Sequence, residues 1–243
     1  MDGGYVLRLT KRLNAIVNYV TPGKIVADIG TGHLQLPLYL VKTKRSPRVI
    51  ATEYNLGPYQ IACFTVALFN EKEKIELRQG NGLLVLMPGE AEIVVMAGMG
   101  GNTICQLLSR APNVLSRVKR LILQPTTRAG DLRCWLTQNN WRLVDELLVK
   151  EKGHFYPVMA AEPGIEVIQD KLLLAIGPRL VEKNDPLLPA YLEKQIQIYR
   201  RILNELAGSQ NPVYFEKRRA LETIISKLNQ LLAHCYGKLD RIE

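Results

Sequence analysis

"VADIGTGHLQLP" (residues 26–37) joins a short apolar run to an acid, two glycines at alternate positions and a histidine. "KIVADIG" (24–30) is a nearly continuous β-rich run of the kind found in strands buried on both faces. Gly30 and Gly32 permit positive φ and let a ligand approach the backbone. Strand, turn and helix in that order put the segment at the carboxyl edge of a parallel sheet, where α/β proteins hold their ligands. A dinucleotide would call for Gly-x-Gly-x-x-Gly, with a helix N-terminus facing the pyrophosphate. Here the third glycine is missing, and Asp28 precedes the turn, where its charge would repel a diphosphate. An acid at that point suits a ligand with a cation and hydroxyls but no phosphate. S-adenosylmethionine, with its ammonium, sulfonium and ribose, has that chemistry.

The flanking chain repeats the theme. "RVIATEY" (48–54), "KIELRQG" (74–80), "AEIVVMAG" (91–98) and "KRLILQP" (119–125) are further short apolar runs, separated by helix-length segments. This β-α-β rhythm predicts a doubly wound parallel sheet. "WRLVDELLVKEKGHFYPVMAAEPG" (141–164) reads instead as two strands joined by a tight turn at Lys152-Gly153, an antiparallel hairpin closing the sheet. The result is the α/β, Rossmann-like outline of class I methyltransferases, though fold alone does not define function. Beyond it, Leu192, Ile196, Tyr199, Leu203 and Leu206 advance by threes and fours, as do Leu221, Ile225, Leu228, Leu232 and Cys235, with "GSQNP" (208–212) between them. That pattern predicts a C-terminal antiparallel helical hairpin. The expected domains are residues 1–164 and 165–243.

No run of 18 apolar residues occurs, and "MDGGYVLRLTKRLN" lacks the apolar core of a signal peptide. A soluble, cytoplasmic protein with no membrane contact is expected. Cys63, Cys105, Cys134 and Cys235 lie far apart, without zinc spacing, and read as buried thiols; no metal site and no obligate protein partner is indicated. The net charge of +9 is uneven: residues 1–164 carry 20 Lys and Arg against 13 Asp and Glu, residues 165–243 carry 12 against 10. Basic groups cluster at Arg8, Lys11 and Arg12; at Lys42, Lys44, Arg45 and Arg48; and from Arg110 to Arg133. Such clusters suit a polyanion, and equally a solvated basic surface.

Later strand ends supply more candidates. "ATEYN" ends the second strand at Glu53 and Tyr54, where a carboxylate can hold a ribose diol. NAD enzymes also place an acid there, so Asp28 is what separates the two cofactors. "RQGNGL" offers the Asn81 amide beside Gly82 for an adenine edge, and in "AGMGG" (97–101) Gly98, Gly100 and Gly101 leave a nearly bare backbone under Met99. That backbone has room for a flat base carrying its own lone pair, and three glycines would equally serve a tight strand-to-helix turn.

Taken together, "RL" (12–13), "VADIGTGHLQLP", "GPYQIA" (57–62), "RQGNGL", "AGMGG", "RLILQP" (120–125), "LRCWL" (132–136) and "AEPG" (161–164) resemble the bacterial tRNA (adenine-22-N1)-methyltransferases. The resemblance covers the first domain in order and matches the helical layout behind it. It implies methyl transfer from S-adenosylmethionine to N1 of an adenine in the tRNA core. Asp28, Gly30, Gly32, Glu53, Tyr54, Asn81, Gly82, Ala97 and Gly98 would then hold the cofactor, and His33, Met99 and Gln124 would line the mouth where the base enters. Arg8, Lys11, Arg12, Arg128 and Arg133, with Lys217 and Arg218 of the helical hairpin, are the residues expected on RNA. The chain departs from the family pattern at Gly32, where a second Asp is usual, at Gln35 for Tyr, at Asn81 for Asp and at Thr126 for Asn. Those departures leave a second reading open, a relative with a changed target or little activity; a nicotinamide-dependent oxidoreductase is a more distant third.

Overall fold

The structure, a computed structural model, describes residues 8–207 and 212–239. Seven strands form one sheet: β1 (Val26–Ile29), β2 (Val49–Glu53), β3 (Ile75–Gln79), β4 (Ile93–Met99), β5 (Arg120–Pro125), β6 (Trp141–Glu151) and β7 (His154–Pro163). Their spatial order is β3-β2-β1-β4-β5-β7-β6. β1 to β5 run parallel, and β7 lies antiparallel between β5 and β6. The chain winds outward from β1 to β3 and then crosses back to β4, so the topological switch point falls between β1 and β4, where this architecture binds ligands.

The apolar runs explain the layers. Ile93 and Val95 face one core while Val94 and Met96 face the other, so β4 must be apolar throughout to bury both sides. The flanking elements are α1 (Lys11–Tyr19), α2 (Gln35–Lys42), α3 (Leu56–Leu68), the 3-10 turn η1 (Gly82–Val85), α4 (Gly101–Ser109), α5 (Pro112–Leu115) and α6 (Ala129–Gln138). α1 is capped by Thr10, whose hydroxyl accepts from the Leu13 amide at 3.2 Å. The hairpin turn falls at Lys152 and Gly153, both at positive φ (48° and 76°), the backbone hand that matches strand twist. Between Ala97 and Met99 the pairing of β4 with β5 slips by one residue, a bulge centred on Gly98.

The chain divides into two compact units after Ala175, eleven residues beyond the boundary expected at Gly164. The intervening stretch is tied to the sheet: the Glu166 carboxylate accepts from the Leu143 amide at 2.9 Å. The boundary falls one residue before the end of α7 (Lys171–Ile176). The second unit holds α8 (Pro178–Glu182), α9 (Leu188–Ala207) and α10 (Pro212–Leu239). The Tyr236 hydroxyl, late on α10, donates to Glu193, early on α9, at 2.8 Å, so the two helices are antiparallel. Leu192, Ile196, Leu221, Leu228 and Cys235 are buried as the periodicity requires. Residues 208–211 of the "GSQNP" break lie outside the described residues. Of the four cysteines only Cys235 is fully buried; the other three are half-buried, which corrects the expectation. Burial still pushes the Cys105 thiol up to about 11, so it is unreactive at neutral pH. No helix among the described residues is long and apolar enough to cross a membrane.

Candidate active site

The ends of β1 and β4 open onto a cavity of about 200 Å3, lined by Leu13, Asp28, Gly32, His33, Gln35 and Ala97 among others. Asp28 is 5 % exposed. Burial pushes its carboxyl up to about 6, with the Thr31 hydroxyl pulling part of the way back, and no cation beside it among the described residues lowers it further. A buried carboxylate that lines a cavity and lacks a counter-charge is a receptor for a cation.

The glycine turn is held open by its neighbours. The Gly30 and Thr31 amides donate to the Thr52 carbonyl at 2.8 and 3.0 Å. The Gly32 amide donates to Glu53 Oε2 at 3.3 Å and the Asn55 amide to Glu53 Oε1 at 3.0 Å. Glu53 therefore clips the first strand-end turn to the second, and each of its oxygens keeps a further lone pair. That pair of acceptors is what a vicinal diol needs. Gly32 has a φ of 52°, yet a Cβ placed there would meet nothing, so the missing second acid was not excluded for lack of space. At Gly30 (φ 74°) a Cβ would lie 2.5 Å from Met99 Cε, which puts the Met99 side chain over the β1 turn.

The remaining expected residues fall on adjoining strand ends. Asn81 heads η1 without a side-chain capping bond, so its amide is not spent on the helix. Gly82 behind it is buried against Leu107. Tyr54 is 67 % exposed next to the buried Glu53. Gly98, at φ 76°, is exposed with open space above it. Exposed His33 and Gln35 stand at the rim. The donor set fits S-adenosylmethionine: an unpaired buried acid for the ammonium, a carboxylate for the ribose and an amide for the adenine.

The substrate-side edge depends on a backbone approach that only glycine allows. The Gly101 amide donates to the Thr127 carbonyl at 2.9 Å, and the Thr126 amide to the Met99 carbonyl at 2.8 Å. A Cβ on Gly101 would sit 2.4 Å from the Arg128 carbonyl oxygen. Gly101→Ala is therefore expected to push the 126–128 loop off α4, at a cost of about 1–3 kcal/mol. Thermal unfolding and turnover measured together check it; an unchanged midpoint with unchanged turnover would refute the close approach.

Two sequence expectations need correction, at Gln124 and Arg133. Gln124 does not line the mouth: it is 1 % exposed, its Oε1 accepts from the Gly98 amide at 3.2 Å, and its Nε2 donates to the Pro125 carbonyl at 3.0 Å. Arg133 is not available to RNA. Both it and Glu146 are fully buried, joined Nε to Oε1 at 2.5 Å, and its Nη1 donates to the Leu174 and Ala175 carbonyls. Arg12, half-buried, pairs with Glu151 at 2.8 Å and stacks on the Tyr156 ring, 4.5 Å from its centroid. The other basic residues stand exposed: Arg8 and Lys11 before and at the start of α1, Lys217 on α10, and Arg128, held loosely 3.6 Å from Asp131. Arg218 is half-buried over the Phe215 ring. Leu13 and Thr31 lie in the quoted motifs but were not among the expected site residues, and Glu151 and Tyr156 went unnoticed because nothing local marks them as partners of Arg12.

A sheet of this order, with acids ending β1 and β2 and a bulged glycine ending β4, defines a class I, S-adenosylmethionine-dependent methyltransferase. Residues 26–230 match the family model described as tRNA (adenine(22)-N(1))-methyltransferase. The chain belongs to that family. It is 34 % identical over 237 residues to the tRNA (adenine(22)-N(1))-methyltransferase of Bacillus subtilis strain 168, covering 94 % of this chain and 98 % of that one. It superposes on Sp1610 of Streptococcus pneumoniae, solved with S-adenosyl-L-methionine, with a TM-score of 0.84 at 31 % identity, covering 93 % of this chain and all of the other. TrmK of M. capricolum, solved with S-adenosyl-homocysteine, gives 0.78 at 25 % identity over 93 % of this chain and 98 % of that one.

Proposed function

We propose that this chain transfers the methyl group of S-adenosylmethionine to N1 of adenine 22 in tRNA. The observation that carries the reading is Asp28, a buried acid without a counter-charge among the described residues, lining a cavity at the switch point of a chain that belongs to this family. Asp28 receives the cofactor ammonium, Glu53 the ribose diol, and Asn81 the adenine edge, with Tyr54 and Gly82 flanking it. When bound, the sulfonium supplies an electrophilic methyl. N1 of adenine would take that methyl with its own lone pair as the methyl–sulfur bond breaks to leave S-adenosylhomocysteine, and the ring would keep the positive charge, so the protein's task is to position the base rather than to remove a proton. N1 lies on the Watson–Crick edge, so adenine 22 has to leave its stack. Gly98 offers it a bare backbone, Met99 packs beneath, and His33 and Gln35 at the rim are side chains able to accept a hydrogen bond from its amine. Arg8, Lys11 and Arg128 take phosphates near this edge, and Lys217 and Arg218 extend the footprint. The protein works in the cytoplasm, where its substrate is, without an obligate protein partner.

The test is methyl transfer from labelled S-adenosylmethionine into unmodified tRNA, with the product nucleoside identified by mass. 1-Methyladenosine is expected in wild-type tRNA and not in tRNA carrying guanosine at position 22. Transfer that persists after that substitution would reassign the target; binding of the cofactor without any transfer would mean that the departures at Gly32, Gln35 and Thr126 have cost the chain its activity.

A further inference from the structure

A bulge leaves one backbone N–H without a ladder partner, and here it is that of Gly98, at the edge proposed to receive the base. Gln124, paired with Ala97 in the neighbouring strand, supplies the missing acceptor through its side-chain oxygen at 3.2 Å. A carboxamide can present oxygen or nitrogen to that N–H, and only one orientation bonds. Two contacts select it. The Pro125 carbonyl accepts from Nε2 at 3.0 Å, and Arg12 Nη1 approaches Oε1 at 3.5 Å. Arg12 is itself held by Glu151 at 2.8 Å and by the face of Tyr156. Its side chain is 29 % exposed and that of Glu151 is 19 % exposed. The chain of contacts runs from β6 and β7 through the first turn of α1 to the bulge on β4.

We propose that Arg12 is a positioning residue for methyl transfer, acting through Gln124 on the Gly98 bulge, and not a phosphate contact. Glu151 and Tyr156 exist in this arrangement to aim the guanidinium. The proposal rests on the reading that the target base enters at the β4 edge. Charge chemistry separates the two roles sharply. If Arg12 served the RNA, removing Glu151 would release a cation and tighten tRNA binding. If Arg12 aims Gln124, removing Glu151 would misplace it and slow turnover.

The experiment compares wild type with Arg12→Lys, Arg12→Met, Glu151→Gln and the double variant Arg12→Met/Glu151→Gln. Turnover, KM for tRNA and the salt dependence of tRNA binding are measured, together with hydrogen exchange of the Gly98 amide in the free protein. Expected are about a tenfold or greater loss of kcat in each single variant, no rescue by lysine, no further loss in the double variant, and faster exchange at Gly98. KM for tRNA and the salt slope stay at wild-type values. Tighter tRNA binding in Glu151→Gln, with wild-type turnover in Arg12→Lys and a salt slope reduced by about 0.7–1 in Arg12→Met, would overturn the proposal. The exchange readout needs no substrate: unchanged Gly98 protection in Arg12→Met overturns it independently, and lost protection with no 1-methyladenosine from wild type would fault the reaction assignment instead.

Discussion

Asp28→Asn is expected to abolish measurable methyl transfer while raising the unfolding temperature of the ligand-free protein. The carboxyl is buried, and its burial lifts it from 3.8 to about 6. The folded state therefore holds a proton that the unfolded chain releases between about pH 4 and pH 6, and stability falls as pH rises through that window. Above it, the ionised buried carboxylate costs about 3 kcal/mol. Asparagine removes the charge at nearly the same shape, so most of that cost disappears. For a chain of this size the gain corresponds to roughly 5 °C or more at pH 7.5. The same substitution removes the counter-charge for the cofactor ammonium. Added S-adenosylmethionine should raise the wild-type midpoint and leave that of the variant unmoved. In wild type, cofactor affinity should decline as pH falls below about 6, because protonation of Asp28 removes the charge that binds. A lower midpoint in the variant, or cofactor affinity that stays flat down to pH 5, would show that Asp28 is not the cation receptor. This is a site where stability has been given up for binding.

Arg133→Ala is expected to lower stability by about 3–5 kcal/mol, because it strands the Glu146 carboxylate in the interior. Arg133 sits on α6, Glu146 on β6, and the Leu174 and Ala175 carbonyls on α7, so one guanidinium joins three elements. Lysine would keep the charge and lose the fork, and should recover only part of the loss. Replacing both partners, as in Arg133→Met/Glu146→Leu, should restore most of it, since a buried ion pair is worth little against apolar groups of similar volume. Urea unfolding of the four proteins reads this out. The salt dependence of tRNA binding should be the same in the double variant as in wild type. A reduced slope there, or a loss below about 1 kcal/mol in Arg133→Ala, would return Arg133 to the RNA surface.

Arg12 and Arg133 carry the lesson about sequence reading. Both belong to basic clusters, and both turn inward to carboxylates, Arg12 to one 139 residues away and Arg133 to one 13 residues away on a different element. Charge clustering reports composition along the chain, while the role of an arginine depends on which acid the fold brings beside it. Gln124 misled in the same way. Its place at the end of β5 was legible, but its burial follows from a bulge on the neighbouring strand, and a bulge leaves no local signature beyond a glycine that a plain turn would equally use.

The amino-acid sequence by itself determined the five parallel strands, the closing hairpin, the helical tail and the acids at the ends of β1 and β2. These depend on near neighbours: an unbroken apolar run must be buried on both faces, and a glycine or an acid directly after it must lie at the sheet edge. The tertiary structure decided which charged and polar groups face water, where the first unit ends, and that Asp28 has no counter-charge among the described residues. Those outcomes depend on distances between segments remote in sequence, and in a low-dielectric interior such distances determine whether a charge is a contact for the substrate, a brace for the backbone or a receptor awaiting its ligand.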